Sequence, residues 1–338
     1  MTKSKLSVSF LIWNSKKCGG NKIIFEIANR LVEKGYGVEV YKILGGNVNW
    51  FPTKVRPISF FSFSWLFQKP SFLIATFWPT AYLTAFMPAR QKMYFIQNWE
   101  ADFYSNPLFS FLARLTFKFP FTHFTISHFL QNKILKRCKR NAFLLPLAID
   151  LSVFKPGLCN KRDTKKIRIL SVVSSYDNFK GVKELISAVR KLKQKHPDWH
   201  FILISFEKYC LSSLFDEFIS DPLPLRLTEE YQRANLFLQT SKIEGFPLPP
   251  LEAMACGTAV IATDSGGIKE YAKNGYNCLL AKNIKEMISQ GMVEQVIEDF
   301  GLRNKLSQNG QKTAKMFSWD KTIFKLEEYL GKWVKEDS

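Results

Sequence analysis

The 338-residue sequence lacks the short motifs that mark several common enzyme classes. It has no GxxxxGK[ST] string, which argues against a P-loop NTPase, and no GxGxxG after its first apolar run, which argues against a nicotinamide-dependent enzyme. A metal-binding DxD string is also missing, and Glu100-Ala101-Asp102 is a poor substitute. The six cysteines have neither CxxC spacing nor histidines at zinc-site spacing, which argues against structural zinc and a disulfide framework.

The sequence also has little that marks export or membrane insertion. Its first apolar run, 6–13, lacks a small-residue cleavage site and continues into Lys16 and Lys17, so we interpret it as a first strand. The 20 residues Pro70–Ala89 carry no charge and are long enough to cross a bilayer, but Pro79 interrupts them. They predict a strand, a turn and a short helix, with a transmembrane helix as the alternative. We expect a cytoplasmic protein, attached at most to the inner face of the membrane.

Acidic residues are scarce in the first half of a chain that is basic overall. The sequence carries 48 basic and 29 acidic side chains, a net charge of +19. Residues 1–150 hold 20 of the basic side chains, 6 of the acidic ones and 20 of the 31 phenylalanines. A basic, aromatic first half predicts an anionic partner, which can be nucleic acid, a membrane surface or a phosphorylated ligand.

Apolar runs alternate with helical patterns along most of the chain. In the first half, the strand candidates after 6–13 are 38–43, 72–76, 93–97, 123–126 and 142–145. A polar stretch at 151–166 is typical of a linker. The alternation then restarts with strands at 167–173, 200–204, 235–239 and 258–262. Strands that alternate with helices predict parallel sheets covered by helices, so we expect an α/β protein with two Rossmann-like domains facing a central cleft.

Segment 241–267 carries the densest chemistry in the sequence. It reads SKIEGFPLPPLEAMACGTAVIATDSGG, in which Pro249 and Pro250 fit the first turn of a helix. The unpaired N–H groups of a helix start favour a phosphate, while Glu244 before the helix and Glu252 inside it can accept sugar hydroxyls. A nucleotide sugar offers a ribose diol and a hexose joined by a diphosphate. The alternative is that Glu252 only complements the helix dipole and Glu244 is a solvated loop residue.

The same segment resembles the donor-binding signature of a known family. EGFPLPPLEAMACGTAVIATDSGGIKEYAKNGYNCLL, from residue 244 to 280, is similar to the signature of glycosyltransferase family four, whose members are retaining enzymes of GT-B fold. Shorter matches run through most of the chain: Gly19-Gly20, TISHFLQNKIL, LPLAIDLSVFKP, FKGVKELISAV and FSWDKTIFKLEEYL. IATFWPTAYL followed by YFIQNWE more narrowly resembles the rhamnosyltransferase-like branch of that family.

The resemblance implies a domain organisation and a reaction. It implies an acceptor-side domain at 1–155, a nucleotide-sugar donor domain at 156–316 and a C-terminal helix at 317–338 that crosses back to the first domain. The implied reaction moves a sugar, with retention, from a nucleotide-diphosphate sugar to a glycan or lipid-linked acceptor in cell-surface polysaccharide synthesis. Together with the missing DxD string, it implies chemistry without a metal ion or other cofactor. We expect no nucleic-acid partner.

The resemblance also assigns roles to individual residues. Glu244 matches the residue that binds hydroxyls of the donor sugar, and Glu252 matches the ribose-binding carboxylate. Lys180 matches the lysine that neutralises the diphosphate, where it would stabilise the charge that builds on the leaving nucleotide. The further donor-binding candidates are Gly19, Gly20, Ser175, Gly245, Phe246 and Leu248.

Three features depart from the family pattern. Ser175 stands where an arginine usually lies five residues before the lysine, so stabilisation of the phosphate is weaker or comes from another basic residue. Pro247 replaces a common glycine and removes one backbone donor. Where the first domain often presents a histidine, this chain has Asn98, Trp99 and Glu100. Asn98 and Glu100 can contact the acceptor or sugar and Trp99 can stack on a sugar face, or the three form a structural loop.

Other functions stay open from the sequence. A GT-B-fold nucleotide-sugar epimerase would share the donor motif and act without an acceptor. A nucleic-acid-binding protein without catalysis would account for the charge but not for the two glutamates. A membrane-binding role fits segments 55–72 and 107–121, which mix Phe or Trp with Lys and Arg as interfacial segments do. The alternative for these segments is ordinary core packing with a biased composition.

Overall fold

Two α/β units make up the part of the chain that the computed structural model describes, residues 6–157, 166–173, 178–206 and 214–336. The first unit comprises Met1–Leu147 with Asp320–Ser338, and the second comprises Ala148–Trp319. The boundaries predicted from the sequence lie at 155 and 316. The predicted linker at 151–166 lies partly outside the described residues.

The sheet of the first unit contains seven parallel strands within the described residues. They are β1 Ser7–Asn14, β2 Gly37–Leu44, β3 Ile58–Ser59, β4 Phe72–Ala75, β5 Gln91–Ile96, β6 Thr122–Thr125 and β7 Ala142–Leu144. Their order in the sheet is β3-β2-β1-β4-β5-β6-β7. β1 pairs with both β2 and β4 and therefore lies inside the sheet. Its residues Val8–Ile12 are all buried, so both of its faces are covered, as the near-continuous apolar run predicts.

Four helices of the first unit connect these strands. They are α1 Gly19–Glu33, α2 Trp78–Phe86, α3 Pro107–Thr116 and α4 His128–Cys138. The uncharged run Pro70–Ala89 folds as β4 followed by α2, as predicted, with Pro79 in the first turn, where its missing N–H costs nothing. Of the helices that the structure describes, none is both long and apolar enough to cross a membrane.

The described strands of the second unit form a parallel sheet of six. They are β8 Arg168–Val173, β9 His200–Ser205, β10 Glu217–Ser220, β11 Leu236–Gln239, β12 Ala259–Thr263 and β13 Leu279–Ala281. The order β10-β9-β8-β11-β12-β13 shows that the chain runs outward from β8 in one direction and then restarts on its other side with β11. The carboxyl ends of β8 and β11 therefore form a topological switch point, where open α/β sheets bind their ligands.

Helices cover this second sheet and the C-terminal helix returns to the first unit. They are α5 Val182–Lys195, α6 Pro224–Arg233, α7 Leu248–Ala255, α8 Ile284–Ser289, α9 Met292–Glu298, α10 Phe300–Ala314 and α11 Trp319–Glu336. On α11, Glu327 lies 3.2 Å from the ammonium of Lys34, and the ring of Tyr329 lies 4.6 Å from that of Phe143. Most of α11 thus packs within the first unit.

Candidate active site

The sheet topology of the second unit brings two of the predicted site residues together. Lys180 ends a short 3-10 helix, Asn178–Lys180, that follows β8, and Glu244 lies in the loop after β11. The two residues are 64 positions apart in sequence, but β8 and β11 are neighbours in the sheet. Both side chains therefore lie at the switch point. Ser175 falls outside the described residues.

Lys180 and Glu244 form a partly buried ion pair. The ammonium Nζ of Lys180 donates a hydrogen bond of 2.8 Å to Oε1 of Glu244, and the two side chains are 25% and 12% exposed. Glu244 is therefore not the solvated loop residue that one interpretation of the sequence allowed. Across the described ranges, no group of three or more His, Cys, Asp or Glu side chains is placed to hold a metal ion.

The backbone around Lys180 is locked to the end of β11. The Lys242 amide donates to the carbonyl of Phe179 at 2.7 Å, and the Thr240 hydroxyl donates to the carbonyl of Gly181 at 3.1 Å. Gly181 has φ +66°, and a Cβ there would lie 2.0 Å from the Thr240 carbonyl oxygen. Only glycine permits this approach, so Gly181 fixes the position of the neighbouring Lys180.

The loop after β12 holds Glu244 from the other side. The Glu244 amide donates to the carbonyl of Ser265 at 2.9 Å, and the Gly267 amide donates to the carbonyl of Glu244 at 3.0 Å. A Cβ at Gly267 would lie 2.0 Å from the carbonyl oxygen of Gly245. The paired glycines of the sequence motif thus allow two loops to pack in direct backbone contact, which orients Glu244.

Glu252 lies on α7 as a buried carboxylate with an oriented partner. Glu252 is 6% exposed, and its Oε2 accepts a hydrogen bond of 3.1 Å from the hydroxyl of Tyr231. Burial raises the pKa of Tyr231 well above its ordinary value, and the charge of Glu252 adds to this, so Tyr231 stays a neutral donor. The adjacent Glu230 anchors α6 to β8 through Arg168 at 3.0 Å.

Tyr231 is a site residue that sequence reasoning missed. It lies in the string TEEYQRAN, which carries no motif and no charge pattern that points to a carboxylate 21 residues later. Contact between α6 and α7 is a tertiary feature, and it alone brings Tyr231 to Glu252.

The remaining candidates, Gly245, Phe246 and Leu248, follow Glu244 in the loop that leads into α7. Phe246 is buried, and its ring packs on those of Tyr271 at 5.4 Å and Phe317 at 5.7 Å. Its side chain is therefore part of the core, and only its amide is available to a donor. Leu248 begins α7 and is half-buried. The donor-binding roles of Gly245, Phe246 and Leu248 stay predictions.

Gly19 and Gly20 begin α1 directly beyond the loop that follows β1. The strand order places β1 and β4 side by side at the switch point of the first sheet. A Cβ at Gly20 would lie 3.3 Å from the side-chain oxygen of Gln97, whereas a Cβ at Gly19 would meet no atom within 4 Å. The backbone is thus accessible at Gly19, and the donor-binding role of the glycine pair stays a prediction.

The structure corrects the prediction for the loop after β5. Trp99 is 3% exposed, and its ring stacks on Phe117 with centroids 4.5 Å apart, so it offers no face to a sugar. Glu100 is buried and accepts hydrogen bonds from the Trp78 amide at 2.7 Å and the Tyr94 hydroxyl at 2.9 Å. These two residues form a structural loop, and the prediction that they contact acceptor or sugar is wrong. Asn98 is half-buried, and its role stays a prediction.

Burial of Glu100 leads to a pH-dependent contribution to stability. Desolvation raises the pKa of Glu100 to about 8, against the opposing hydrogen bonds from Tyr94 and Trp78, while the ordinary value is 4.5. The folded chain therefore keeps a proton that the unfolded chain loses between these two pH values. The stability that this proton contributes is complete below pH 4.5 and is lost as the pH rises to about 8.

We expect Glu100→Gln to remove this dependence, because glutamine keeps an oxygen acceptor and does not titrate. Urea unfolding at several pH values measures this. As the pH rises, the free energy of unfolding of wild type should fall relative to that of the variant, by at most about 1.4 kcal/mol per pH unit. Parallel curves for the two chains across this window would show that Glu100 does not hold the proton.

Comparison with known proteins places the candidate site within a matched domain. Residues 160–313, which include Lys180, Glu244 and Glu252, match the family model of glycosyl transferases group 1. The chain is 28% identical over 254 residues to the N,N'-diacetylbacillosaminyl-diphospho-undecaprenol alpha-1,3-N-acetylgalactosaminyltransferase of Campylobacter jejuni, covering 69% of this chain and 66% of that protein. The chain spans less than two thirds of the length of the curated relatives that it matches.

Solved structures share the architecture of the whole chain. Sucrose-phosphate synthase from Thermosynechococcus elongatus has a TM-score of 0.83 at 16% identity, covering 99% of this chain and 100% of that one. HepE of Anabaena, in complex with UDP-glucose, has a TM-score of 0.80 at 15% identity, covering 97% and 100%. At these identities the likeness shows the fold. The chain therefore has the GT-B fold of glycosyltransferases, and its residues 160–313 match the glycosyl transferases group 1 family.

Proposed function

We propose that this protein is a glycosyltransferase that moves a sugar from a nucleotide-diphosphate sugar to a glycan or lipid-linked acceptor. The observation that carries the proposal is the Lys180–Glu244 pair, 2.8 Å apart at the carboxyl ends of β8 and β11. A cation and a hydroxyl-accepting carboxylate at a switch point match a ligand that joins a diphosphate to a sugar. The pair also lies inside the stretch that matches group 1 glycosyl transferases.

Each group has a role that its chemistry supports. The Lys180 ammonium would exchange its contact with Glu244 for the diphosphate and stabilise the charge on the leaving nucleotide. Glu244 would then accept hydroxyls of the transferred sugar, and Glu252, oriented by Tyr231, would accept the ribose diol. We propose transfer with retention, in which the acceptor hydroxyl attacks the sugar on the face from which the nucleotide leaves and passes its proton to the departing diphosphate. This step requires no protein nucleophile and no cofactor.

The names of relatives support the classes of donor and acceptor. HepE of Anabaena is described in complex with UDP-glucose, and the Campylobacter jejuni relative is named for an acceptor linked to diphospho-undecaprenol. We propose the same two classes here: a nucleotide-diphosphate hexose, and a glycan or lipid-linked glycan of cell-surface polysaccharide synthesis on the cytoplasmic side. The strings at 74–83 and 94–100 favour the rhamnosyltransferase-like branch.

A thermal-shift screen of the full chain against nucleoside diphosphates and nucleotide sugars tests the proposal. A ligand at 100 times its Kd stabilises the folded state by about 2.7 kcal/mol, or roughly 5–10 °C for a unit of this size. We expect one base to produce such a shift. No shift with any nucleotide would contradict the proposal. In a separate product assay, a sugar product formed without acceptor would indicate an epimerase instead.

A further inference from the structure

Three segments of the first unit form what we call the aromatic layer: residues 60–67 and α2, which pack on one apolar cluster of the sheet, and α3, which packs beside α2. Trp65 of the first segment and Leu83 of α2 pack on one apolar cluster, formed by Leu11 of β1, Tyr41 of β2, Leu73 of β4 and Met87, which directly follows α2. The Tyr82 hydroxyl on α2 donates to the carbonyl of Leu112 on α3 at 2.9 Å. The first segment and α2 therefore cover the same cluster, and α3 is joined to α2.

The outer side of the aromatic layer exposes nine large apolar side chains. Phe67 is 91% exposed and Phe86 is 84% exposed. The others are Phe61, Phe63, Leu66, Leu108, Phe109, Phe111 and Leu115. On α3 the buried residues are the small Ala113 and Thr116, so the bulky residues of this helix point outward rather than into the core. Such a concentration of exposed apolar side chains marks an interaction surface.

The sequence around these three segments is rich in basic residues and poor in acidic ones. Residues 55–99 and 103–121 contain no acidic side chain, and their basic residues are Arg56, Lys69, Arg90, Lys92, Arg114 and Lys118. Between Val40 and Ile149 the acidic residues are Glu100 and Asp102. Glu100 is buried, and Asp102 lies 2.6 Å from the ammonium of Lys133. Glu39 is half-buried and accepts a hydrogen bond of 3.0 Å from the Tyr41 hydroxyl, which also contacts Gln68 beside Phe67. An anionic surface that approaches the aromatic layer therefore meets apolar rings and an excess of cations over carboxylates.

We propose that the aromatic layer docks on a membrane that contains anionic lipids. Exposed Phe side chains insert at the level of the headgroups, while Lys and Arg side chains beside them bind lipid phosphates. A protein partner would need a matching apolar face with excess negative charge, whereas an anionic bilayer offers both properties over any area. The proposal rests on the proposed function only for the lipid-linked acceptor, because docking itself requires no sugar transfer.

Sedimentation of the full chain with vesicles tests this proposal. We use phosphatidylcholine vesicles with and without about 30% phosphatidylglycerol, and we expect at least about tenfold tighter binding to the anionic vesicles, falling with added salt. The triple variant Phe67→Ser, Phe86→Ser, Phe111→Ser should bind anionic vesicles at least about tenfold more weakly. The variant Arg114→Gln, Lys118→Gln should lose roughly fivefold per charge.

A matched control carries the same chemistry elsewhere on the surface. Phe300→Ser with Phe324→Ser removes two exposed rings outside the aromatic layer and should bind vesicles as wild type does. Because all the substituted rings are exposed, each variant should keep its melting temperature and its nucleotide-induced shift. The vesicle assay contains no donor, so the outcomes for docking and for sugar transfer are separate.

Three results would overturn the proposal. The first is equal binding to neutral and anionic vesicles, and the second is a triple variant that binds as tightly as the control. The third is a wild-type chain that does not bind vesicles but is a dimer by light scattering, while the triple variant is a monomer. That result would assign the aromatic layer to contact between two copies of the chain.

Discussion

Replacing Lys180 by alanine is expected to lower kcat for sugar transfer by about 100-fold to 1000-fold, the usual cost of removing one group that stabilises charge in the transition state. Backbone hydrogen bonds between the loops after β8 and β11 hold Lys180 in place, with its ammonium 2.8 Å from Glu244. Alanine would leave the charge on the departing diphosphate unmatched. Initial rates at saturating donor and acceptor measure the effect.

Lys242 provides a matched control for this variant. It lies two residues from Glu244, is exposed, and pairs with Glu184 at 2.6 Å rather than with Glu244. We expect Lys242→Ala to keep its rate within about twofold of wild type, as is usual for exposed pairs. Near-wild-type transfer by Lys180→Ala, or an equal loss in Lys242→Ala, would remove Lys180 from the mechanism.

The pairing of Lys180 with Glu244 predicts that their effects do not add. If both groups act on the same bound donor, the double variant Lys180→Ala, Glu244→Ala should be only slightly slower than the worse of the two single variants. Independent roles would instead multiply the two losses. Melting temperatures of all three variants show whether the lost rate reflects lost folding.

Replacing Glu252 by glutamine is expected to act mainly on nucleotide affinity. A charge-assisted hydrogen bond contributes about 1.5–3 kcal/mol, so Kd and KM should rise by roughly 10-fold to 100-fold. The ribose keeps its contacts during the reaction, so kcat should change little, in contrast to Lys180→Ala. Glutamine is chosen because it keeps an acceptor for the buried Tyr231 hydroxyl.

The ribose contact can be isolated by changing the ligand as well as the protein. Wild type should bind a nucleoside diphosphate more tightly than its 2′,3′-dideoxy analogue, and Glu252→Gln should bind the two almost equally. Tyr231→Phe removes the hydroxyl that orients Glu252, and its preference for ribose should lie between that of wild type and that of Glu252→Gln. If Glu252→Gln keeps the full preference for ribose, then Glu252 serves only the packing of α7.

Periodicity predicted the central strands and the edge strand β7, and it missed the edge strands β3, β10 and β13. The buried runs that became β1, β4, β8 and β11 are apolar on both faces, and that pattern is visible in sequence. β3 has two residues, β13 has three, and β10 is the half-exposed string EFIS. These short segments are strands only because they pair with a neighbouring strand, and no local sequence pattern predicts that pairing.

The site shows the same division between local and tertiary information. Pro249 and Pro250 predict the start of α7 because the first turn needs no N–H donors, and the structure confirms that helix. Trp99 and Glu100, by contrast, follow a strand in a polar string, which favours a binding loop. Phe117 and Tyr94 bury them, and those contacts depend on how β5 and α3 pack.

Amide hydrogen exchange of the full chain, with and without a saturating nucleoside diphosphate, tests most directly whether the donor binds at the switch point of β8 and β11. A bound diphosphate should slow exchange in segments 178–181 and 241–252, which carry Lys180, Glu244 and Glu252. Segments at the edges β10 and β13 should not change. Protection confined to the first unit, or none at saturation, would contradict the assignment of this site.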